Sequence, residues 1–371
     1  MRRINLLSAK PYRCPEHGTL GSLPCAWPDC PNGVADSQFE VAPVFDGQKV
    51  PTYTRQHWKS PLGDTYFTWD SNKLPNWFFV RQTYWNEARR HGLVETNFPD
   101  TIYHYTSLAG FVGIVESKQI WLSDFSYLND SRELVHGTRL ATDVIDSIVR
   151  AKPAVGVQGL LNRLKREINT HANRICVASF SADDDSLAQW RAYGPIAIGF
   201  DTYPLELHVN QASLHRVEYN HDTQQGLIKI YLHHLAASFL RDAEAGRLTR
   251  SLRTSYRRAE QLLEILAFFK DAGFRSENEI RLAYVDNPDV FQSLGYPPLP
   301  KSFRQARGLL IPYVASGDVL RSSERNFEIK IAEVVLGPES SDLLERGLKE
   351  FLAARNMSEV VVRRSAVPLR T

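Results

Sequence analysis

Cysteine is scarce in this chain, with four among 371 residues, and methionine is scarcer at two. Three of the cysteines, Cys14, Cys25 and Cys30, fall in one short N-terminal stretch, and the fourth is Cys176. A disulfide framework usually spreads its cysteines to staple distant loops, so in a reducing compartment the clustering reads first as metal ligands. Long apolar runs are missing as well: nothing approaches the roughly 18 residues needed to span a bilayer. The opening MRRINLLSAKPYRCPEHG begins with two arginines but lacks the apolar centre of a signal peptide. The expected location is the cytoplasm, with no membrane partner. Charge of one sign is absent too, since 44 Lys and Arg against 42 Asp and Glu leave a formal net charge of +2. Bulk charge therefore does not hold this chain on nucleic acid, and only a local basic patch serves that purpose.

What is present is globular. Hydrophobic residues make up 43% and charged residues 23%, on a chain long enough for two folded units. Residues 1–35 are rich in Pro, Gly and Cys and show no helical or strand period. Within them Cys14-Pro-Glu-His17 and Cys25-Ala-Trp-Pro-Asp-Cys30 form a C-x2-H-x7-C-x4-C pattern. Each short spacer bends the chain and brings two ligands to one ion, so the expectation is a closed, structural zinc knuckle on Cys14, His17, Cys25 and Cys30. The alternative is three free thiols and an exposed histidine in a loop. Residues 36–97 read as an aromatic-rich connecting region that includes a helix from about Pro75 to Arg90.

The main domain is expected over 98–371. Short strands are predicted at Ile102–Tyr105, Ile120–Leu122, Ile175–Ser181, Ile196–Asp201, His215–Tyr219 and Glu279–Val285. Further strands are predicted at 308–315, 327–336 and Glu359–Arg363. Ser107 can cap a helix that gathers Leu108, Phe111, Ile114 and Val115 on one face. Other helices are predicted near 132–149, 160–173, 186–193, 223–245, 255–272 and 340–355. Strands and helices do not alternate regularly, which disfavours a doubly wound parallel sheet. The fold class is α+β, a mixed or antiparallel sheet flanked by helices.

An ordered series of short motifs runs through this domain. It comprises Tyr103-His104-Tyr105-Thr106, Ile120-Trp121-Leu122-Ser123-Asp124, Leu128-Asn129-Asp130-Ser131, Ser179-Phe180-Ser181 and Gln189-Trp190-Arg191-Ala192-Tyr193-Gly194. Ile198-Gly199-Phe200-Asp201, Ser276-Glu277-Asn278-Glu279-Ile280-Arg281 and Val335-Leu336-Gly337-Pro338 complete it. The series resembles a prokaryotic family known as domain of unknown function 2971, over about residues 100–370, with the zinc knuckle outside it. A looser resemblance is to ADP-ribosyltransferase folds, and it implies an enzyme that cleaves NAD and passes ADP-ribose to a macromolecule or to water. It implies that His104 on a first strand holds the ribose and that Glu279 on a late strand meets the nicotinamide ribose. Glu277, two residues earlier, is implied to serve the acceptor.

The residue types suit that chemistry. Loss of nicotinamide leaves a cationic, oxocarbenium-like ribose, which a carboxylate such as Glu279 stabilises. Nicotinamide is flat and cationic, a partner for Tyr105, Trp190 or Tyr193. Ser179 and Ser181 offer hydroxyls on a middle strand, and Arg191 or Arg281 can bind the pyrophosphate. A defence or toxin role follows by analogy alone. Plainer readings exist for each piece: His104 as a structural histidine, Trp190 and Tyr193 as core at helical spacing, Glu279 and Arg281 as an ion pair, Cys176 as packing. A second hypothesis is a non-catalytic module in which the knuckle binds nucleic acid or protein. The basic run Arg250, Arg253, Arg257 and Arg258 would then meet phosphates. A third, ranked last, is a metal-dependent nuclease on Asp183, Asp184 and Asp185, or on Asp130 with Glu133. The acceptor and the oligomeric state are left open.

Overall fold

The computed structural model describes residues 98–127, 132–151, 155–170, 174–202, 212–244, 255–286, 299–306, 308–319 and 329–368, with four short N-terminal strands. Those strands are β1 (Arg2–Asn5), β2 (Tyr12–Arg13), β3 (Leu20–Gly21) and β4 (Phe39–Ala42). β1 pairs with β4 in parallel, and β2 with β3 antiparallel. Cys14, His17, Cys25 and Cys30, the expected helix at 75–90, and Asn129 with Asp130 lie outside the described residues.

The main chain continues through β5 (Thr101–Thr106), α1 (Leu108–Ser117), β6 (Trp121–Asp124), α2 (Arg132–Arg150) and α3 (Val155–Thr170). Next come β7 (Ile175–Ser181), α4 (Leu187–Tyr193), β8 (Ile196–Asp201), β9 (Ala212–Arg216), α5 (His221–Glu244) and α6 (Ser255–Leu266). A 3-10 turn at Ala272–Glu277 leads into β10 (Glu279–Val285), then β11 (Ser302–Ala306), β12 (Leu309–Ala315) and the short α7 (Ser316–Val319). The last elements are β13 (Ile331–Leu336), α8 (Asp342–Ala353) and β14 (Val361–Arg364). The helix predicted to reach residue 272 stops at Leu266, and β11 has no counterpart among the predicted strands. Its sequence, Ser-Phe-Arg-Gln-Ala, buries too little to show a period of two.

Two compact units interleave along the chain. One comprises Met1–Val94, Thr138–His171 and Asp222–Ile265. Its helices bury Leu140, Val144, Ile145, Leu161, Leu164, Ile228, Leu232 and Leu263. The Tyr231 hydroxyl donates to the Arg258 carbonyl at 2.6 Å and ties α5 to α6.

The other unit comprises Glu95–Gly137, Ala172–His221 and Leu266–Thr371 and holds a ten-stranded sheet. The sheet runs β11-β12-β6-β7-β5-β8-β13-β14, with β10 on the far edge of β7 and β9 beyond it. β13 and β14 are parallel, and the other described ladders of this sheet are antiparallel. Central strands such as β8 are buried on both faces, so they read as near-continuous apolar runs. One face carries Ile102, Phe180, Ile198, Phe200, Ile280 and Leu282, packed with Phe111, Ile114 and Val115 of α1 and Leu348 and Leu352 of α8. The Ser107 hydroxyl caps α1 by accepting from the Gly110 amide at 3.2 Å. Leu108, expected on the buried face, is 48% exposed in the first turn. The opposite face carries a smaller cluster of Tyr103, Tyr105, Ala197 and Val335 beneath Trp190 of α4.

Gly194 ends α4 at φ +131°, and a Cβ there would sit 2.7 Å from the Thr106 carbonyl oxygen. Side chains avoid that backbone region, and the obstacle is main chain that cannot swing aside. Gly194→Ala is expected to cost about 1–3 kcal/mol, read as a lower urea midpoint.

Candidate functional site

β7 gives one edge to two different strands. Ser123 and Asp124 of β6 pair with Val177 and Cys176, while Tyr103 of β5 pairs with Ser181. Between these pairings, among the described residues, no strand pairs with Ser179 on this edge. It is also the one residue of β7 that is not fully buried. The gap is bridged by a side chain: His104 Nδ1 lies 2.9 Å from the Ser179 carbonyl oxygen.

On its other edge β7 pairs along its length with β10, setting Ser181 opposite Glu279 and Ser179 opposite Arg281. Directly opposed residues share a face, so these four side chains project together, on the α4 face. The Glu279 carboxylate receives Arg281 Nε at 2.6 Å, Arg281 Nη2 at 2.9 Å and Lys270 Nζ at 3.0 Å. The Ser179 hydroxyl is a fourth donor to it. A carboxylate offers about four acceptor positions, so this one is saturated. Lys270 also reaches Glu277 Oε2 at 2.6 Å, and Arg281 Nη1 donates to the Ala267 carbonyl at 2.6 Å. Burial alone would raise the pKa of Glu279. The charges of Arg281 and Lys270, with hydrogen bonds from Arg281 and Ser179, instead hold it near 2. Glu279 is ionised across the physiological range.

The turn before β10 is fixed with equal care. Asn278, at φ +43°, donates from Nδ2 to Asp183 Oδ1 at 3.0 Å and accepts at Oδ1 from Arg216 Nη1 at 3.2 Å. The Glu277 carbonyl accepts from the Ser181 hydroxyl at 2.8 Å and from Gln189 Nε2 at 3.3 Å. The Tyr219 hydroxyl accepts from the Glu279 amide at 3.0 Å. Glu277, Glu279, Ser179, Ser181 and Arg281, predicted separately, are thus neighbours.

His104 stands apart from them. It alternates with Tyr103 and Tyr105, so its ring lies toward the α1 face, edge-on to Phe180 with centroids 6.0 Å apart. Ser179 is the link, bonding Glu279 with its hydroxyl and His104 with its carbonyl. Burial depresses the His104 pKa below the ordinary value of 6.5, the Ser179 bond opposes this, and the Arg304 charge adds to the depression. Unfolded chain therefore binds this proton more readily than folded chain does. Stability is expected to fall as the pH drops below about 6.5, and His104→Asn should flatten that part of a urea-midpoint profile between pH 7 and 5.

Two of the aromatic candidates, Trp190 and Tyr105, are buried in the core, and Tyr193 is partly buried against it. Trp190 is 8% exposed, meets Tyr105 edge-on at 4.6 Å and donates its indole N–H to Asp185 Oδ1 at 2.8 Å. The Tyr105 hydroxyl donates to the Asp183 carbonyl at 2.8 Å, and Tyr193 packs on the same cluster. Arg191 is exposed, whereas Arg281 is occupied by Glu279. The three aspartates are each engaged: Asp183 with Asn278, Asp184 with Arg363, and Asp185 with Ser365 and the Ala366 amide. Cys176 is buried, and that burial, with the nearby Asp124 charge, pushes its thiol pKa up to about 12. Arg258, the last member of the basic run, is 3% exposed and so faces inward. The side chains of Arg250, Arg253 and Arg257 lie outside the described residues.

Lys270 was not singled out by sequence reasoning. A signal existed: one lysine follows Leu266-Ala267-Phe268-Phe269, and a cation in so apolar a run requires a buried carboxylate. Asn278 and Tyr219 gave no comparable signal.

Residues 189–282 match a family model described as "Protein of unknown function (DUF2971)". The matched segment contains Trp190, Arg191, Tyr193, Glu277, Glu279 and Arg281, and stops short of His104, Ser179 and Ser181. No curated protein and no solved structure matched the chain.

Proposed function

We propose that the chain is an NAD-cleaving enzyme of the ADP-ribosyltransferase type, acting at the opening beside Ser179. The observation that carries this reading is the double role of Ser179, a partly exposed residue that joins the late-strand Glu279 to the first-strand His104. Among the four donors on Glu279, three are cationic and buried, and the fourth is a hydroxyl at an opening. A ribose hydroxyl is the same kind of donor and can take its place without leaving either cation unpaired.

In this reading NAD lies over Ser179 with a ribose hydroxyl on Glu279. The bond from the ribose anomeric carbon to nicotinamide breaks, its electron pair leaves with the ring, and the oxocarbenium-like ribose faces an ionised carboxylate. Lys270 and Arg281 keep that carboxylate ionised and fixed, so little reorganisation accompanies the reaction. Glu277, on the same lysine, orients the acceptor, either water or a macromolecular nucleophile. His104, on the other face of the sheet, holds the Ser179 carbonyl and so fixes the strand on which the ribose lies. The aromatic residues Trp190, Tyr105 and Tyr193 support α4 and take no part in stacking.

The test is nicotinamide release from NAD by purified chain, alone and with cell lysate as acceptor source. Glu279→Gln should lower release by about 10²-fold, the scale of losing one preorganised electrostatic group. Ser179→Ala, which removes only the exchangeable hydroxyl, should retain activity. Absence of release by the wild-type chain under both conditions overturns the reading.

A further inference from the structure

Glu279 is held by its main chain as well as by its carboxylate. On the edge of β10 away from β7, its carbonyl accepts from the Val217 amide at 2.8 Å. A continuing antiparallel ladder would send the Glu279 amide back to the Val217 carbonyl. Here β9 has ended at Arg216, and the Tyr219 hydroxyl accepts that amide at 3.0 Å. The chain between these two contacts turns to another partner, the segment that carries Lys270. The Glu218 amide donates to the Phe268 carbonyl at 2.8 Å, and the Lys270 amide donates to the Glu218 carbonyl at 3.2 Å.

Val217, Glu218 and Tyr219 therefore tie both members of the Lys270–Glu279 ion pair to one short stretch of chain. The stretch lies at a junction. The chain leaves the sheet-bearing unit after His221 and returns to it at Leu266, so one limb carries Tyr219 and the other Lys270. Of the four hydrogen bonds that hold these backbones, three join main-chain groups, which a side-chain substitution leaves in place. The fourth is the Tyr219 phenol, the one anchor that depends on residue type. Tyr219 is partly exposed. Burial and the nearby Glu279 charge raise its pKa above the ordinary value of 10, so the hydroxyl stays neutral.

We propose that Tyr219 is a positioning residue for Glu279: its hydroxyl fixes the head of β10 against the Lys270 segment and so sets the contact between carboxylate and ammonium. That contact is 3.0 Å long, and the attraction between two charges weakens as they separate. Phenylalanine at 219 keeps the ring but offers the Glu279 amide no acceptor, which lets the strand head drift from Lys270. The use of the positioned carboxylate in NAD cleavage rests on the reading above. The positioning itself does not.

The experiment compares urea midpoints of the full chain and of Tyr219→Phe from about pH 5 down to about pH 3, the range where the Glu279 contribution fades. The charged and titratable groups around Glu279 are Lys270, Arg281, Tyr219, Glu277 on the same lysine, and His215 opposite Arg281 on β9. The Glu279 carboxyl is held near 2 against an ordinary 4.5, so its ionised form stabilises the fold above about pH 4.5 and less as the pH falls toward 2. A looser contact with Lys270 raises the folded pKa and shrinks that contribution. Tyr219→Phe should therefore be less stable than wild type at the upper end of the range, with the difference narrowing in acid. A lost hydrogen bond alone leaves a constant difference. In a Glu279→Gln background the tyrosine substitution should give that constant difference, which separates the Glu279 effect from Glu277. Nicotinamide release is the second readout: kcat should fall by about tenfold with KM unchanged, within the roughly 10²-fold that a misplacement of about 1 Å costs. A stability difference that fails to narrow in acid, or none at all, overturns the positioning role whatever the release assay shows. An unchanged kcat in an active chain overturns it too. Narrowing in a chain whose wild type releases no nicotinamide keeps the positioning and loses the enzymatic reading.

Discussion

Arg281→Met is expected to destabilise the chain by about 3–5 kcal/mol, the scale of breaking a buried ion pair from one side. Arg281 is 1% exposed and Glu279 4%, so no water replaces the lost partner. Methionine fills the volume but donates nothing. Glu279 then keeps Lys270 and Ser179, while the Ala267 carbonyl loses its donor. Urea midpoints at pH 7 measure the loss.

The pH dependence supplies an internal check. Glu279 has a folded pKa near 2 against an ordinary 4.5, so its ionised form stabilises the fold above about pH 4.5. That contribution disappears as the pH falls from 4.5 through 2, and the difference corresponds to roughly 3 kcal/mol. In Arg281→Met the carboxyl pKa should rise toward or beyond the unfolded value, and this acid-side loss should shrink. A variant as stable as wild type, with an unchanged acid limb, would show that the cluster contributes nothing net.

Trp190→Ala carries the second large effect, about 3–5 kcal/mol. The indole is packed between Tyr105 and the chain at Gly337, where a Cβ on the glycine would come within 3.1 Å of it. Truncation leaves a cavity in the Tyr103–Tyr105–Val335 cluster and deprives Asp185 of one donor. Trp190→Phe should restore most of the packing and lose only the N–H bond. A stacking role predicts the converse, a weakened ligand with stability retained, so urea midpoint and NAD affinity measured side by side separate the two.

Much of the fold was legible because its signals are local. β7, β8 and β10 fall where apolar runs between turn residues placed them, and Ser107 caps α1 as a serine before an apolar period should. The early end of α6 was not legible. Leu266-Ala267-Phe268-Phe269 continues an apolar pattern, yet the chain turns there, and the Phe269 and Lys270 amides bond to the Leu266 and Glu218 carbonyls. Tertiary pairing overrides helical period at that point.

The site divides along the same line. Glu277, Glu279 and Arg281 were singled out through the resemblance to ADP-ribosyltransferase folds, and Lys270 and the Glu279–Arg281 pair make them neighbours. Ser179 was named as a hydroxyl, but its position at a gap between two strands depends on pairing partners dozens of residues away. The reverse applies to Trp190 and Tyr193. Their spacing was compatible with core or with stacking, and in the structure Trp190 is buried while Tyr193 is partly buried against the same cluster.

The Asp183–Asp185 loop has a consequence for how the chain is made. Its partners Arg363, Ser365 and Ala366 lie about 180 residues downstream. At a synthesis rate of roughly 5–20 residues per second, the loop waits about 10–40 s for them. Throughout that interval Asp185 lacks its serine and amide donors, and α4 is anchored on one side only. The Asp184 and Asp185 carboxylates therefore gain these partners only late in translation.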